Sequence, residues 1–155
     1  MRLIIYQYTF LLYNYPMNIN YVAVLVAAIA QFIFGAIWYM PIFGKIWGKI
    51  HGFDTLPKDV QEQMYKSMWP WLIVQFVITV VTSAVFALLY GSMSPEWNTY
   101  GFAGFVWLGF IVPTQAAAVI FGGTKPEWMA TKIAIMASAA LGNMMILALI
   151  MNLMN

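Results

Sequence analysis

A chain of 155 residues with 63% apolar and only 8% charged side chains, at a mean hydropathy of +0.79, has too little polar surface to cover a soluble domain of that size. Its formal charge of +2 comes from seven basic against five acidic residues, too sparse a set for a nucleic-acid-binding face. With no cysteine, the chain has no disulfide, thiolate metal site, thiol-attached haem or cysteine nucleophile.

In chain order, Leu3 to Tyr13 is apolar but too short to span a bilayer, and the Tyr13-Asn14-Tyr15-Pro16 that ends it lacks the small-residue cleavage site of a secretory signal. Met17-Asn18-Ile19-Asn20 then reads as a natural beginning. Two readings stay open for residues 1–16: an upstream start, or a segment on the membrane surface beside the first helix. Either way residues 17–155 are expected to form one membrane domain.

Four hydrophobic stretches follow, Tyr21 to Tyr39, Trp69 to Tyr90, Tyr100 to Phe121 and Trp128 to Ile150. At about 1.5 Å per residue each can cross a ~30 Å hydrocarbon layer as a helix, and none contains an acidic side chain. The predicted fold class is therefore all-α: an integral membrane four-helix bundle with a short interfacial helical loop.

That loop, Pro41 to Met68, divides in two. Phe43, Trp47 and Ile50 recur at helical spacing with Lys45 and Lys49 between them, as suits an interfacial segment, although Gly44, Gly48 and Gly52 weaken any regular helix. Pro57 can open a short helix through Lys66 with Val60, Met64 and Met68 in one stripe, and Pro70 predicts a bend where that helix enters the bilayer. Further on, Ser94-Pro95-Glu96-Trp97 and Thr124-Lys125-Pro126-Glu127-Trp128 each offer a hydroxyl cap, an early proline and a glutamate at the positive end of a helix dipole.

Lys45, Lys49, Lys58 and Lys66 lie between spans one and two, and Lys125 and Lys132 at the junction of three and four. The other side holds only Arg2, so the positive-inside bias predicts cytoplasmic lysine-bearing loops and both termini outside. Trp38, Tyr39, Trp47, Trp69, Trp71 and Trp128 fit an inner aromatic belt and Tyr21, Tyr90, Trp97 and Tyr100 an outer one, while Trp107 falls well inside span three.

Small residues recur every fourth position, at Ala23, Ala27 and Gly35; Ser83, Ala87 and Gly91; Gly109 and Ala117; and Ala130, Ala134, Ser138 and Gly142. Such stripes let helix backbones approach, within the chain or between copies. Gln31, Thr79, Thr114, Gln115 and Asn143 form a candidate polar layer near mid-membrane, where carboxamides and hydroxyls need partners. Pro113 is a candidate kink, because it leaves the Gly109 carbonyl without its helical donor. No acid or base accompanies the layer at depth. His51 with Asp54 and Asp59 makes a poor metal or acid–base set, so no metal or cofactor is expected, and phosphate-binding glycine loops, HExxH and serine nucleophile elbows are absent.

Three blocks carry a resemblance: Gly35-Ala36-Ile37-Trp38-Tyr39-Met40-Pro41-Ile42-Phe43-Gly44-Lys45-Ile46-Trp47, then Trp107-Leu108-Gly109-Phe110-Ile111-Val112-Pro113-Thr114, then Lys125-Pro126. Together they resemble the DUF1761 family of small bacterial four-span membrane proteins, from Met17 to the C-terminus. The resemblance implies an inner-membrane helix bundle without an assigned activity. It also implies a polar residue soon after the Pro–Thr pair, which Gln115 supplies and Ala116 to Ala118 do not. The leading functional expectation is a non-catalytic protein bound to the lipid bilayer and to copies of itself or another membrane protein. The alternative is a small-solute or ion transporter or channel using the polar layer, with an enzyme third.

Overall fold

The computed structural model describes residues 19–93 and 96–154. The segment 1–16, Ser94 and Pro95 lie outside them. Among the described residues there is no strand, and four helical stretches are long and apolar enough to cross a membrane: Tyr21–Ile42, Trp69–Gly91, Thr99–Phe121 and Pro126–Met154. The bundle places α1 (Tyr21–Ile37), with a π turn at Trp38–Ile42, against α4 (Trp69–Gly91) on one side and α7 (Pro126–Met154) on the other. The third span is α5 (Thr99–Val106), a second π turn (Trp107–Ile111) and α6 (Val112–Phe121), and it packs along α7.

Helix starts follow side-chain chemistry. Asn20 caps α1 by accepting the Ala23 N–H at 3.0 Å, and its amide nitrogen donates to Met154 O at 2.9 Å, tying the start of α1 to the end of α7. The third span begins three residues beyond Glu96, at Thr99, because Asn98 accepts the Gly101 N–H at 2.6 Å and supplies the cap expected of Ser94. Glu127 does lie in the first turn of α7, as the sequence indicates.

The interfacial loop is more ordered than its glycines suggest. Gly44–Ile50 forms a helix, α2, because the Phe43 carbonyl accepts the Trp47 N–H at 2.8 Å and aromatic contacts outweigh the propensity penalty. Trp47 lies between Tyr39 and His51, with ring centroids 4.8 and 4.6 Å away, and Phe43 lies 4.9 Å from Trp38. Pro57 opens α3 (Lys58–Ser67) as expected. Pro70 does not bend a continuous helix: α3 stops at Ser67, Met68 separates the two, and Pro70 sits in the first turn of α4, where a missing N–H costs nothing.

The core is built where helices approach closely. Ala23, Ala27, Ala103, Leu147 and Ala148 are fully buried with Val24, Phe86, Phe102, Met144 and Met151 around them. Phe86 and Phe102 have centroids 5.0 Å apart and join α4 to α5 toward the end where α4 finishes and α5 begins. Of the small-residue stripes, Ala23, Ala27 and Ser83 are consumed inside the bundle, whereas Gly109, Ala117, Ala130 and Ala134 are exposed. Gly142 lies under the Phe34 ring, so an added Cβ would stand 2.7 Å from Phe34 Cε1 and nearer still to Cζ, while one at Gly35 would meet nothing within 4 Å.

The expected result of Gly142→Ala is a loss of about 1–3 kcal/mol from overpacking the α1–α7 contact, seen as a lower melting temperature in detergent. Gly35→Ala should leave the melting temperature unchanged or raise it. Equal behaviour of the two variants would contradict the α1–α7 packing.

Candidate functional site

The centre of the molecule is α7, and two tryptophans hold it. A transmembrane proline withdraws a donor from the helical ladder, and here both such sites are resolved by π turns, in which an N–H reaches the carbonyl five residues back. Pro41 lies within the first, where Phe43 N–H donates to Trp38 O at 3.0 Å. Pro113 follows the second, where Val112 N–H donates to Trp107 O. The kink expected at Pro113 is therefore a change of helical register that begins at Trp107.

Each π turn opens on a tryptophan whose ring N–H reaches across to α7. Trp38 Nε1 donates to Ile135 O at 3.2 Å, and Trp107 Nε1 donates to Ala137 O at 2.8 Å. The two acceptors are two residues apart, so α1 and the third span grip α7 at one level from different sides. This explains the depth of Trp107: its polar edge has a backbone acceptor inside the bundle and needs no interface. It also gives Trp38 a role beyond the aromatic belt. The sequence signal is a tryptophan three or six residues ahead of a transmembrane proline, Trp38 before Pro41 and Trp107 before Pro113.

The five residues of the candidate polar layer are placed at two levels. Gln31 is 3% exposed, and its Nε2 donates to Ser83 Oγ at 2.9 Å and to Ala27 O at 3.1 Å. Ser83 in turn donates to Thr79 O at 2.9 Å, so α1 and α4 are joined by a buried polar relay. Ser83 drew notice in the sequence only as a small residue, but it is the group that satisfies Gln31. Thr79 and Thr114 donate back to Gln75 O at 2.9 Å and Phe110 O at 2.6 Å, within their own spans. Asn143 neighbours Gly142, which faces Phe34, and so lies near the level of Gln31. Gln115 is eight residues beyond Trp107 toward the lysine-rich end, while Asn143 is six residues beyond Ala137 toward the opposite end, which separates them by roughly 20 Å along the bundle. Gln115 Oε1 and Asn143 Oδ1 are both buried without a hydrogen-bond partner.

A crevice of about 270 Å³ opens sideways between α4 and the third span, lined by Val85, Phe86, Leu89, Val106, Ile111 and Met144 among others, with Thr82 as its one polar side chain. In the interfacial loop, His51 Nδ1 lies 2.9 Å from Trp47 O, and among the described residues no three His, Asp or Glu side chains gather as metal ligands. These features define a polytopic membrane helix bundle with a clamped central helix. The chain belongs to the family described as protein of unknown function (DUF1761), whose model matches residues 22–152, nearly its whole length. No curated protein and no solved structure shows a significant match.

Replacing Trp107 by Phe keeps most of the ring and deletes the donor, so Trp107→Phe should lower stability by about 1 kcal/mol in a detergent melt. Trp38→Phe should lower it less, because the Trp38 bond is longer and Ile135 O also receives Ser138 Oγ at 3.2 Å. A Trp107→Phe protein as stable as the parent would remove the clamp from the account.

Proposed function

We propose that this is a non-catalytic protein of the bacterial inner membrane that works as an oligomer or as a subunit of a larger membrane complex. The observation that carries the reading is the contrast between its lipid-accessible faces. On α4 the exposed side chains are bulky, with Trp71, Ile73, Val77, Val81, Val85 and Leu89 prominent, as suits contact with acyl chains. On α7 as far as Gly142 the exposed positions are Pro126, Glu127, Ala130 and Ala134, so beyond the first turn only small side chains face outward and a further helix could bring its backbone close. Orientation follows from the lysines, with the loop containing α2 and α3 in the cytoplasm and both termini outside.

The second reading is a small-solute or ion pathway. It rests on Gln115 Oε1 and Asn143 Oδ1, acceptors held without partners at membrane depth. The separation of Gln115 from Asn143 and the saturation of the Gln31 amide nitrogen favour the first reading.

The mass of the purified protein in mild detergent, read by light scattering, should exceed that of one chain, and Ala130→Leu with Ala134→Leu should return it to a single folded chain. A wild type that is monomeric, and whose solute flux in liposomes is abolished by Asn143→Leu, would replace the first reading with the second. For orientation, Asp59→Cys and Asn155→Cys should label from opposite sides of intact cells, Asp59→Cys only after permeabilisation. Outside labelling of Asp59→Cys would invert the topology.

A further inference from the structure

Lys132 is the charged residue that lies furthest inside a span. It sits six residues into α7, roughly 9 Å along the helix from Pro126, and it is partly buried. Side chains on a helix lean toward its N-terminus, and this one rises to the turn before α7, where Nζ lies 3.3 Å from Thr124 Oγ1. The ammonium also stands 5.8 Å above the centre of the Trp47 ring, in the arrangement of a cation–π contact. Both neighbours are neutral. An ammonium has three donors, and Thr124 takes one.

The surroundings are positive. Lys45 and Lys49 lie on α2, which touches α7, and Lys125 lies in the turn beside Thr124. Glu127 lies in the first turn of α7, yet among the described residues the one ion pair is the distant, exposed Lys66–Glu62 at 3.7 Å. A partly desolvated cation without an anionic partner, at the rim of the hydrocarbon, calls for an anion from outside the chain. Trp47 and the apolar residues of α2, in the loop between the first two spans, have the composition of a membrane-interface segment, and phosphate is the anion abundant at that interface.

We propose that the corner between α2 and the start of α7 binds the phosphate of an anionic phospholipid headgroup, with Lys132 as its principal ligand and Trp47 and Thr124 holding the ammonium in place. Lys45, Lys49 and Lys125 add long-range attraction, and the N-terminal dipole of α7 has the same sign. The site does not depend on the oligomeric reading, since every group in it comes from one chain.

The test counts lipids retained by the full chain in native mass spectrometry after mixing with phosphatidylglycerol or phosphatidylcholine. Phosphatidylglycerol should be retained in preference, and Lys132→Gln should weaken that retention about tenfold, the scale of one charge-assisted hydrogen bond. Lys132→Arg should keep most of it, and Lys66→Gln should change nothing. Equal retention of the two lipids, or equal losses in Lys132→Gln and Lys66→Gln, would overturn the site in favour of diffuse attraction. Displacement of the lipid by an equal concentration of inorganic phosphate would overturn the lipid assignment. Melting of Lys132→Gln in phosphatidylcholine checks its fold. Should that variant fail to fold, Trp47→Leu must lower phosphatidylglycerol retention severalfold, and unchanged retention would also overturn the proposal.

Discussion

Hydrocarbon offers no water to an unpaired N–H, so backbone carbonyls are the acceptors in steady supply, and the arrangement of the spans follows from which donors reach which carbonyls. The Ile135–Ala137 stretch of α7 is where this constraint acts most strongly. It receives Trp38 from α1 and Trp107 from the third span, while Asn20 reaches the last turn of the same helix. Both indole donors come from π turns next to prolines. A proline removes one N–H from the ladder, the π turn re-registers the backbone around it, and the tryptophan that opens the turn spends its side-chain donor on the neighbouring helix. The local defect and the tertiary contact therefore occur together, once in each of the two spans that flank α7.

The fourth element of the bundle is held differently. α4 rests chiefly on α1 through the Gln31–Ser83 bond and an edge-to-face contact of Phe32 with Phe76 at 5.5 Å, and it reaches α5 through Phe86 and Phe102. A lateral crevice separates it from the third span beyond those rings. Interhelical hydrogen bonds in membranes contribute about 0.6 kcal/mol each, so a helix with one such bond depends mainly on shape. The close fit of Ala23 and Ala27 and the burial of Ser83 supply it. Among the described residues the outward-facing small residues of α6 and α7 have no such partner.

Much of this was legible in the sequence, because hydrophobic length and small-residue spacing are local patterns. The four spans, the loop helix opened by Pro57 and the acidic first turn of α7 follow from them. Two of the three blocks that carry the family resemblance, Gly35 to Trp47 and Trp107 to Thr114, contain the π turns. Less was legible where one side chain's role is set by a residue far along the chain. That Ser83 would complete Gln31, 52 residues away, cannot be read from either neighbourhood. That Gln115 and Asn143 would lie at different depths depends on the antiparallel register of the third span and α7, fixed by Trp107 and Ala137. The helix at Gly44–Ile50 is hard to read from the sequence because glycine propensity points against it, while the edge-to-face contact of Trp47 with Tyr39 and its tilted contact with His51 exist only once the segment has folded.

The central claim is that two indole N–H groups are locked onto α7 within the bilayer, and hydrogen exchange at the tryptophan side chains reads this most directly. In protein labelled with ¹⁵N-tryptophan and held in detergent micelles, the indole resonances of Trp38 and Trp107, assigned by their loss in Phe variants, should exchange slowly with deuterium. Those of Trp69 and Trp71, whose side chains are largely exposed, should exchange fast. Exchange of Trp107 as fast as that of Trp71 would contradict the clamp and the account of the fold built on it.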